Sequence, residues 1–399
     1  MYSRQILTQI EKFLFTNDIL LLYGARQVGK TSIMKIIQSK EKRQNLFFDL
    51  EQKKYLDLVN SDQELFIDYL KSQWRNIKDN IVVFIDEIQY ADNPTSFLKY
   101  IHDHYSNIKF IVSWSSTLEI RWKLRNSMVW RMLTFEVYPL NFQEFLIFKW
   151  KENLANLVRN PVKLDIINDE LSYLYKEFCI YWWYPQVVLT DNIEYKAIYL
   201  RQIVSSYIEK DIRDIWKIQE IEKFNKLLIV LADQSWQLLN ISELANDSIW
   251  ISRETLKNWL LLLENTFVIN QIKPFSKNIR SELIKMPKVF FEDSWIRNSL
   301  LDNFEITWNW FETTIYDDIS HSYRFKNIQF YRTQDKKEID FILDSKPYEV
   351  KLSYNGKKLT ALDFFEQKYG LSGSIITLDK SKSGKYGQFY PREVTLPHW

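Results

Sequence analysis

The first 140 residues alternate between short apolar runs and stretches whose apolar side chains recur three and four positions apart. Ile19–Tyr23, Leu46–Leu50, Ile81–Ile85, Ile108–Val112 and Leu133–Val137 are brief, apolar-rich segments. Runs of that length, rich in branched and aromatic residues, predict buried strands. Helical spacing between most of them, as in Ser32–Ile37, predicts a parallel sheet covered by helices on both faces. From about Asn141 to Lys223 the period is helical and strongly aromatic, and Tyr199–Ile215 fits one long helix.

Asn240–Ile272 reads as a winged helix-turn-helix. Asn240 and Glu243 form a helix start, and Ser252 caps a second helix with Leu256, Trp259, Leu260 and Leu263 on one stripe. Phe267–Ile272 supplies a wing strand. Further on, Glu312 falls in a helical stretch. Asp340–Leu343 and Tyr348–Leu352 read as strands around a Lys346-Pro347 turn.

Composition narrows the class. A chain of 399 residues has room for roughly two to four domains. Its 53 basic and 51 acidic residues nearly cancel, so no overall charge draws it to nucleic acid or membrane. Cys179 is the sole cysteine, which excludes an internal disulfide and a multi-cysteine zinc site and suits a reducing, cytoplasmic location. His102 and His104 fit a surface helix better than a metal site. No apolar run approaches about 18 residues, and the N-terminus mixes charged with apolar positions, so neither a membrane span nor a signal peptide is expected.

Candidate chemistry begins after the first strand, at Gly24-Ala25-Arg26-Gln27-Val28-Gly29-Lys30-Thr31, followed by Ser32 and a helical pattern. Strand, glycine loop and helix in that order form a nucleotide-binding P-loop. Gly24 and Gly29 permit torsions and a close approach that let successive N–H groups wrap phosphates. Lys30 is placed to reach the β- and γ-phosphates, the Thr31 hydroxyl to ligate Mg²⁺, and the helix start to favour the anion. Downstream, Ile81–Ile85 ends in Asp86-Glu87. Acidic residues at the carboxyl end of such a strand suit a Mg²⁺ shell at Asp86 and activation of a water at Glu87. The strand Ile108–Val112 leads into Ser113-Trp114-Ser115-Ser116, whose hydroxyls would lie beside the γ-phosphate. Basic residues follow at Arg121, Lys123, Arg125 and Arg131.

These elements, with Phe84-Ile85-Asp86-Glu87-Ile88-Gln89 and Tyr138-Pro139-Leu140-Asn141-Phe142-Gln143-Glu144-Phe145-Leu146, resemble a large prokaryotic family of AAA-type (AAA+ superfamily) ATPases. The C-terminal half of that family is a domain of uncharacterised function with a nuclease-like end. The resemblance implies an α/β fold: a P-loop AAA-type parallel sheet (1–140), a helical lid (141–225), a winged helix-turn-helix (226–275) and a C-terminal PD-(D/E)xK nuclease-like α/β domain (276–399). It assigns ATP and Mg²⁺ as cofactors and places an arginine finger at Arg131, which requires self-association if it acts in trans. It also puts Glu312, Asp340, Glu349 and Lys351 at the nuclease motif positions. Strand periodicity independently sets Glu349 and Lys351 on one face. Carboxylates at Asp340 and Glu349 with that lysine can bind Mg²⁺ and activate water for phosphodiester cleavage, although such residues also occur on solvated strand edges. DNA or RNA is the partner this implies. The proposed reading helix offers only Arg253 and Lys257 against Glu254, so a structural or protein-contact role for the winged helix has at least as much support. Two function classes result: an ATPase controlling a nuclease-like domain, and an ATP-operated switch whose C-terminal domain recognises without cutting.

One departure is systematic. The family pattern has glycine where this chain has Trp114, Trp130, Trp183 and Trp295, and also at Trp182, Trp236 and Trp250. An average chain of this size carries about 28 glycines; this one has 7, with 15 tryptophans. The expectation is that UGA encodes glycine in the gene and is read here as tryptophan. A real indole at Trp114 would crowd the nucleotide site. Trp259 fits a helix core position and is expected to be authentic.

Overall fold

The computed structural model describes residues 2, 4–73, 80–115, 128, 130–159, 164–181, 184–206, 220–276, 286–292, 294–302, 308–322, 327–380 and 384–395. Met1–Pro139 and Leu140–Trp399 are separate compact units.

In the first unit, α1 (Gln5–Glu11) precedes β1 (Ile19–Tyr23). Then follow α2 (Lys30–Lys40), β2 (Gln44–Asp49), α3 (Lys53–Asn60), α4 (Gln63–Gln73), β3 (Ile81–Asp86), α5 (Pro94–His104), β4 (Ile108–Trp114) and β5 (Met132–Glu136). The strands form one parallel sheet in the order β2-β3-β4-β1-β5. Every residue of β3 and β4 is buried, as a central parallel strand covered on both faces must be. Val59, Phe66, Leu70, Phe97 and Ile101 pack with Val83, Ile85, Phe110 and Val112 on one face. The predicted strands appear within two residues of their expected ends.

The second unit opens with α6 (Phe142–Phe148), α7 (Glu152–Arg159), α8 (Asp165–Tyr181), α9 (Ile193–Ser206) and α10 (Ile221–Asp233). The long helix expected over Tyr199–Ile215 is represented by α9, and 207–215 lie outside the described residues. Asn240 caps a short helical turn through its side chain, and Ser252 caps α11 (Arg253–Asn265) by accepting from Thr255 N–H. Leu256, Trp259, Leu260 and Leu263 are all buried, and Trp259 meets Phe224 edge-on at 5.3 Å.

The strands and helices after α11 are β6 (Ile269–Pro274), β7 (Lys288–Phe291), α12 (Ser294–Leu301), α13 (Trp308–Ser320), β8 (Ile328–Arg332), β9 (Glu338–Leu343), β10 (Lys346–Ser353), α14 (Thr360–Tyr369), β11 (Ser374–Asp379), β12 (Gly387–Phe389) and α15 (Pro391–Thr395). The strand order is β12-β11-β10-β9-β8-β6-β7. The strand expected as a wing is represented by β6, which pairs with β7 and β8 and so belongs to the C-terminal sheet. The turn expected at Lys346-Pro347 falls one pair earlier. Lys346 and Pro347 pair with Leu343 and Ile342, leaving Asp344 and Ser345 as a two-residue loop with φ of 46° and 75°. Positive φ at both positions matches the twist of a tight hairpin. No helix among the described residues is long and apolar enough to cross a membrane.

Four tryptophan backbones carry the torsions of glycine. Trp130, Trp150, Trp236 and Trp250 have φ of 67°, 61°, 70° and 63°, left-handed torsions that favour glycine. Trp150 follows α6, where its N–H reaches Ile147 O (3.0 Å) and Lys151 N–H reaches Leu146 O (2.8 Å). That bond pair is the Schellman stop, normally closed by glycine. Gly370 stops α14 with a φ of 72°. Trp150 was absent from the sequence-derived set. Trp182 and Trp183 lie outside the described residues, as does the side chain of Trp295. Trp114 behaves differently: it is fully buried in the core beside the sheet, so crowding of the nucleotide site does not occur there.

Codons for Trp130, Trp150, Trp236 and Trp250 are expected to be UGA, and that for Trp259 UGG. Gene sequencing checks this, and UGG at the four left-handed positions overturns it. Glycine at Trp130, Trp150 or Trp250, where the indoles are largely exposed, should raise stability by ~1–2 kcal/mol each. Denaturant unfolding reads that change.

Candidate nucleotide site and C-terminal carboxylate cluster

Parallel strands deliver their carboxyl ends to one edge of the sheet, and the candidate nucleotide site is assembled there. Gly24 leaves β1 with a φ of 149°, and a Cβ on it would lie 2.3 Å from Val137 O, so only glycine fits. Gly29, with a φ of 98°, caps α2. Lys30 is buried and donates to Gly24 O (3.0 Å) and Ala25 O (2.8 Å). Beneath the loop, Arg4 donates to Val28 O (2.9 Å) and Tyr138 O (2.7 Å). Arg4 was missed because its partners are backbone atoms 24 and 134 residues away.

Asp86 joins three chain segments. Thr31 Oγ1 donates to its Oδ2 at 2.7 Å, and Ser113 Oγ donates to its Oδ1. Burial pushes the Asp86 carboxyl above the usual range, against the pull of the Ser113 and Thr31 hydrogen bonds. Glu87 stands next to it in a left-handed conformation (φ 55°), its N–H donating to Ser113 Oγ at 2.8 Å. Ser115 Oγ meets both Glu87 carboxylate oxygens at 2.5 Å, and Gln89 Nε2 donates to Oε2. Ser113 and Ser115 thus point to the acidic pair while Trp114 between them points to the core, as strand alternation requires. Ser116, Arg121, Lys123 and Arg125 lie outside the described residues. The glycine cradle and the paired Thr31 and Asp86 oxygens suit a phosphate chain and a hard cation.

Arg131 is elsewhere. It precedes β5, and its carbonyl accepts from Ile19 N–H at the start of β1. β1 and β5 run parallel, so Arg131 occupies the sheet edge opposite its own P-loop. Its guanidinium grips Asp103 at 2.7 and 3.1 Å, which holds that carboxyl down at about 2. The structure does not bring Arg131 to this chain's own nucleotide site.

In the second unit, Phe341 pairs with Tyr348 across β9 and β10, which sets Asp340 beside Glu349. Asp340 Oδ2 accepts from Val350 N–H at 2.8 Å, and Lys351 Nζ meets Glu349 Oε1 at 2.7 Å. Glu312, on α13, is fully buried and meets Lys288 Nζ at 3.4 Å. Lys288 also meets Glu338 at 2.5 Å, and Glu338 is bonded by Arg332 at 2.9 Å. Burial, reinforced by the neighbouring Asp340 charge, pushes Glu312 and Glu349 upward, against the pull of Lys288 on the first and of Lys351 on the second. Lys288 stays charged: burial opposes its charge, but Glu312, Glu338 and Asp340 outweigh it. Among the described residues no three His, Cys, Asp or Glu side chains gather closely enough to hold a metal ion. Glu312, Asp340, Glu349 and Lys351 still lie within electrostatic reach of one another, with Glu312 drawn to a lysine that sequence reasoning missed. Lys288 opens an apolar strand, where a lone lysine reads as solvated.

Comparison with known proteins separates the two units. Residues 16–146 match the AAA domain family. Residues 172–307 and 309–394 match two domains of unknown function, DUF8612 and DUF4143. An uncharacterised protein of Methanocaldococcus jannaschii is 28% identical over 303 residues, covering 75% of this chain and 66% of that relative, just under two thirds. Another uncharacterised protein, from Haemophilus influenzae, is 24% identical over 364 residues, covering 86% and 84%. Among solved structures, a Walker-type ATPase of Pyrococcus abyssi superposes with a TM-score of 0.50 at 15% identity, covering 75% of this chain and 96% of that one. With its parallel five-stranded sheet and acidic strand end, the segment 16–146 is an AAA-type P-loop ATPase domain.

Proposed function

We propose that this chain is a cytoplasmic, Mg²⁺-dependent ATPase whose nucleotide cycle controls a nuclease-like, nucleic-acid-directed C-terminal domain. The observation that carries the ATPase reading is the Asp86 network, which ties the P-loop threonine to the strand end holding Glu87. Gly24–Ser32 would hold the phosphates by backbone N–H groups and the Lys30 ammonium, with Thr31 and Asp86 as protein oxygens for Mg²⁺. The ion would neutralise charge on the β- and γ-phosphate oxygens. Glu87, fixed by Ser115 and Gln89, accepts a proton from the attacking water. Arg131 can act only on a neighbouring copy's nucleotide, which makes self-association part of this reading. The helical lid over 141–225, the winged helix-turn-helix over 226–275 and the nuclease-like domain over 276–399 belong to the same proposal.

A second reading is an ATP-operated switch with a recognition domain that does not cut, and partner contact through the winged helix. The Lys288 ammonium lodged between Glu312 and Glu338 favours it.

Lys30→Ala should abolish ATP binding in a nucleotide-binding titration. Glu87→Gln should keep binding and lower turnover ~10²–10⁴-fold, the share of a positioned base. Wild-type turnover in Glu87→Gln removes the role given to that residue.

Arg131→Ala should lower turnover by about 10³-fold or more with nucleotide affinity little changed, because a finger acts on charge that develops in the transition state. Mixing Arg131→Ala with Lys30→Ala chains should restore activity, since intact sites then face intact fingers. No recovery at any ratio counts against a finger acting between copies.

A further inference from the structure

Lys288 is the least expected member of the C-terminal cluster. Its side chain is 1% exposed, and it meets Glu338 at 2.5 Å and Glu312 at 3.4 Å. The Phe330 ring lies 5.4 Å from the ammonium. A buried ammonium loses its hydration and is tolerated only where carboxylates replace that water. The pairing of β7 to β6, with Lys288 opposite Ile272, fixes its place in the sheet. A divalent ion ligated by Glu312 or Glu338 would strip the ammonium of its partners and set a second cation within a few ångströms in a low-dielectric site.

Asp340 and Glu349 feel the Lys288 charge but, unlike Glu312 and Glu338, form no ion pair with it. They lie beside each other across β9 and β10, Glu349 shares one oxygen with Lys351, and its buried Oε2 has no hydrogen-bond partner. We propose that Lys288 is a positioning residue that acts as a fixed cation on Glu312 and Glu338, so that the cluster accepts at most one divalent ion, on Asp340 and Glu349. Glu312, which the sequence motif places among the functional carboxylates, is then a counter-ion to Lys288 and not a metal ligand. The divalent ion itself rests on the nuclease-like reading above, whereas the role of Lys288 does not.

Mn²⁺ binding, followed by electron paramagnetic resonance on the full nucleotide-free chain, tests this. An Asp86→Asn background keeps the P-loop site from contributing ions. One Mn²⁺ per chain is expected. Glu349→Gln should weaken it at least tenfold, Glu312→Gln should leave it within about twofold, and Lys288→Met should add a second ion. Two ions with Lys288 intact, or a tenfold loss in Glu312→Gln, overturns the proposal. If Lys288→Met fails to fold, as circular dichroism would report, the Glu312→Gln comparison still decides. No ion bound with Lys288 intact, but one gained in Lys288→Met, supports the lysine's role and rejects the metal part of the nuclease-like reading. No ion in either folded protein overturns both.

Discussion

The first unit depends on one buried carboxylate. Asp86 accepts from Thr31 at the start of α2 and from Ser113 near the end of β4, and Ser113 in turn accepts from the Glu87 peptide. Three segments separated by tens of residues meet there because β1, β3 and β4 are parallel and end on one edge. An ionised carboxylate is stable at that depth only with such donors or a cation. The same need fixes what surrounds it. Gly24 must lack a Cβ to pass under Val137 O, and Arg4 closes the space below the loop by bonding Val28 and Tyr138. Nucleotide chemistry and local folding therefore select the same residues.

The core of this unit was legible because its determinants are local. Five short apolar runs, a loop whose glycines need particular torsions and an acidic pair at a strand end can each be read within about ten residues. Arg4, Ser113's double role and the opposite-edge position of Arg131 were not legible. Each depends on contacts between distant positions or on strand direction. Ser113 and Ser115 were visible as a polar strand end, but only the pleat explains why the indole between them faces the core and leaves the acidic pair clear.

Tryptophans give a second lesson in local constraint. The family pattern named Trp130, Trp236 and Trp250 among the hidden glycines, and composition agreed, but neither reached Trp150 or could tell which positions demand a glycine. Torsions can: Trp150 carries both bonds of a Schellman stop, and Trp130, Trp236 and Trp250 share its left-handed backbone. Trp114, suspected on the same footing, sits in extended backbone with its ring packed in the core. Backbone demand and side-chain accommodation are separate questions, and the same residue type answers them differently along this chain.

The C-terminal cluster shows what a motif leaves out when charge is counted only within it. Asp340, Glu349 and Lys351 lie within twelve residues and were found together in space. Glu312 was also found nearby, but a motif cannot reveal which cation already holds it. Lys288 lies on β7, the partner of the strand expected as a wing, and both strands belong to the same sheet. Four carboxylates, Glu312, Glu338, Asp340 and Glu349, thus face three basic side chains, Lys288, Arg332 and Lys351. A site nearly neutralised by its own side chains has less need of an added ion than one lined by carboxylates alone. The sheet continuity that delivers Lys288 therefore sets the cation chemistry of the domain, a link visible only once strand order is known.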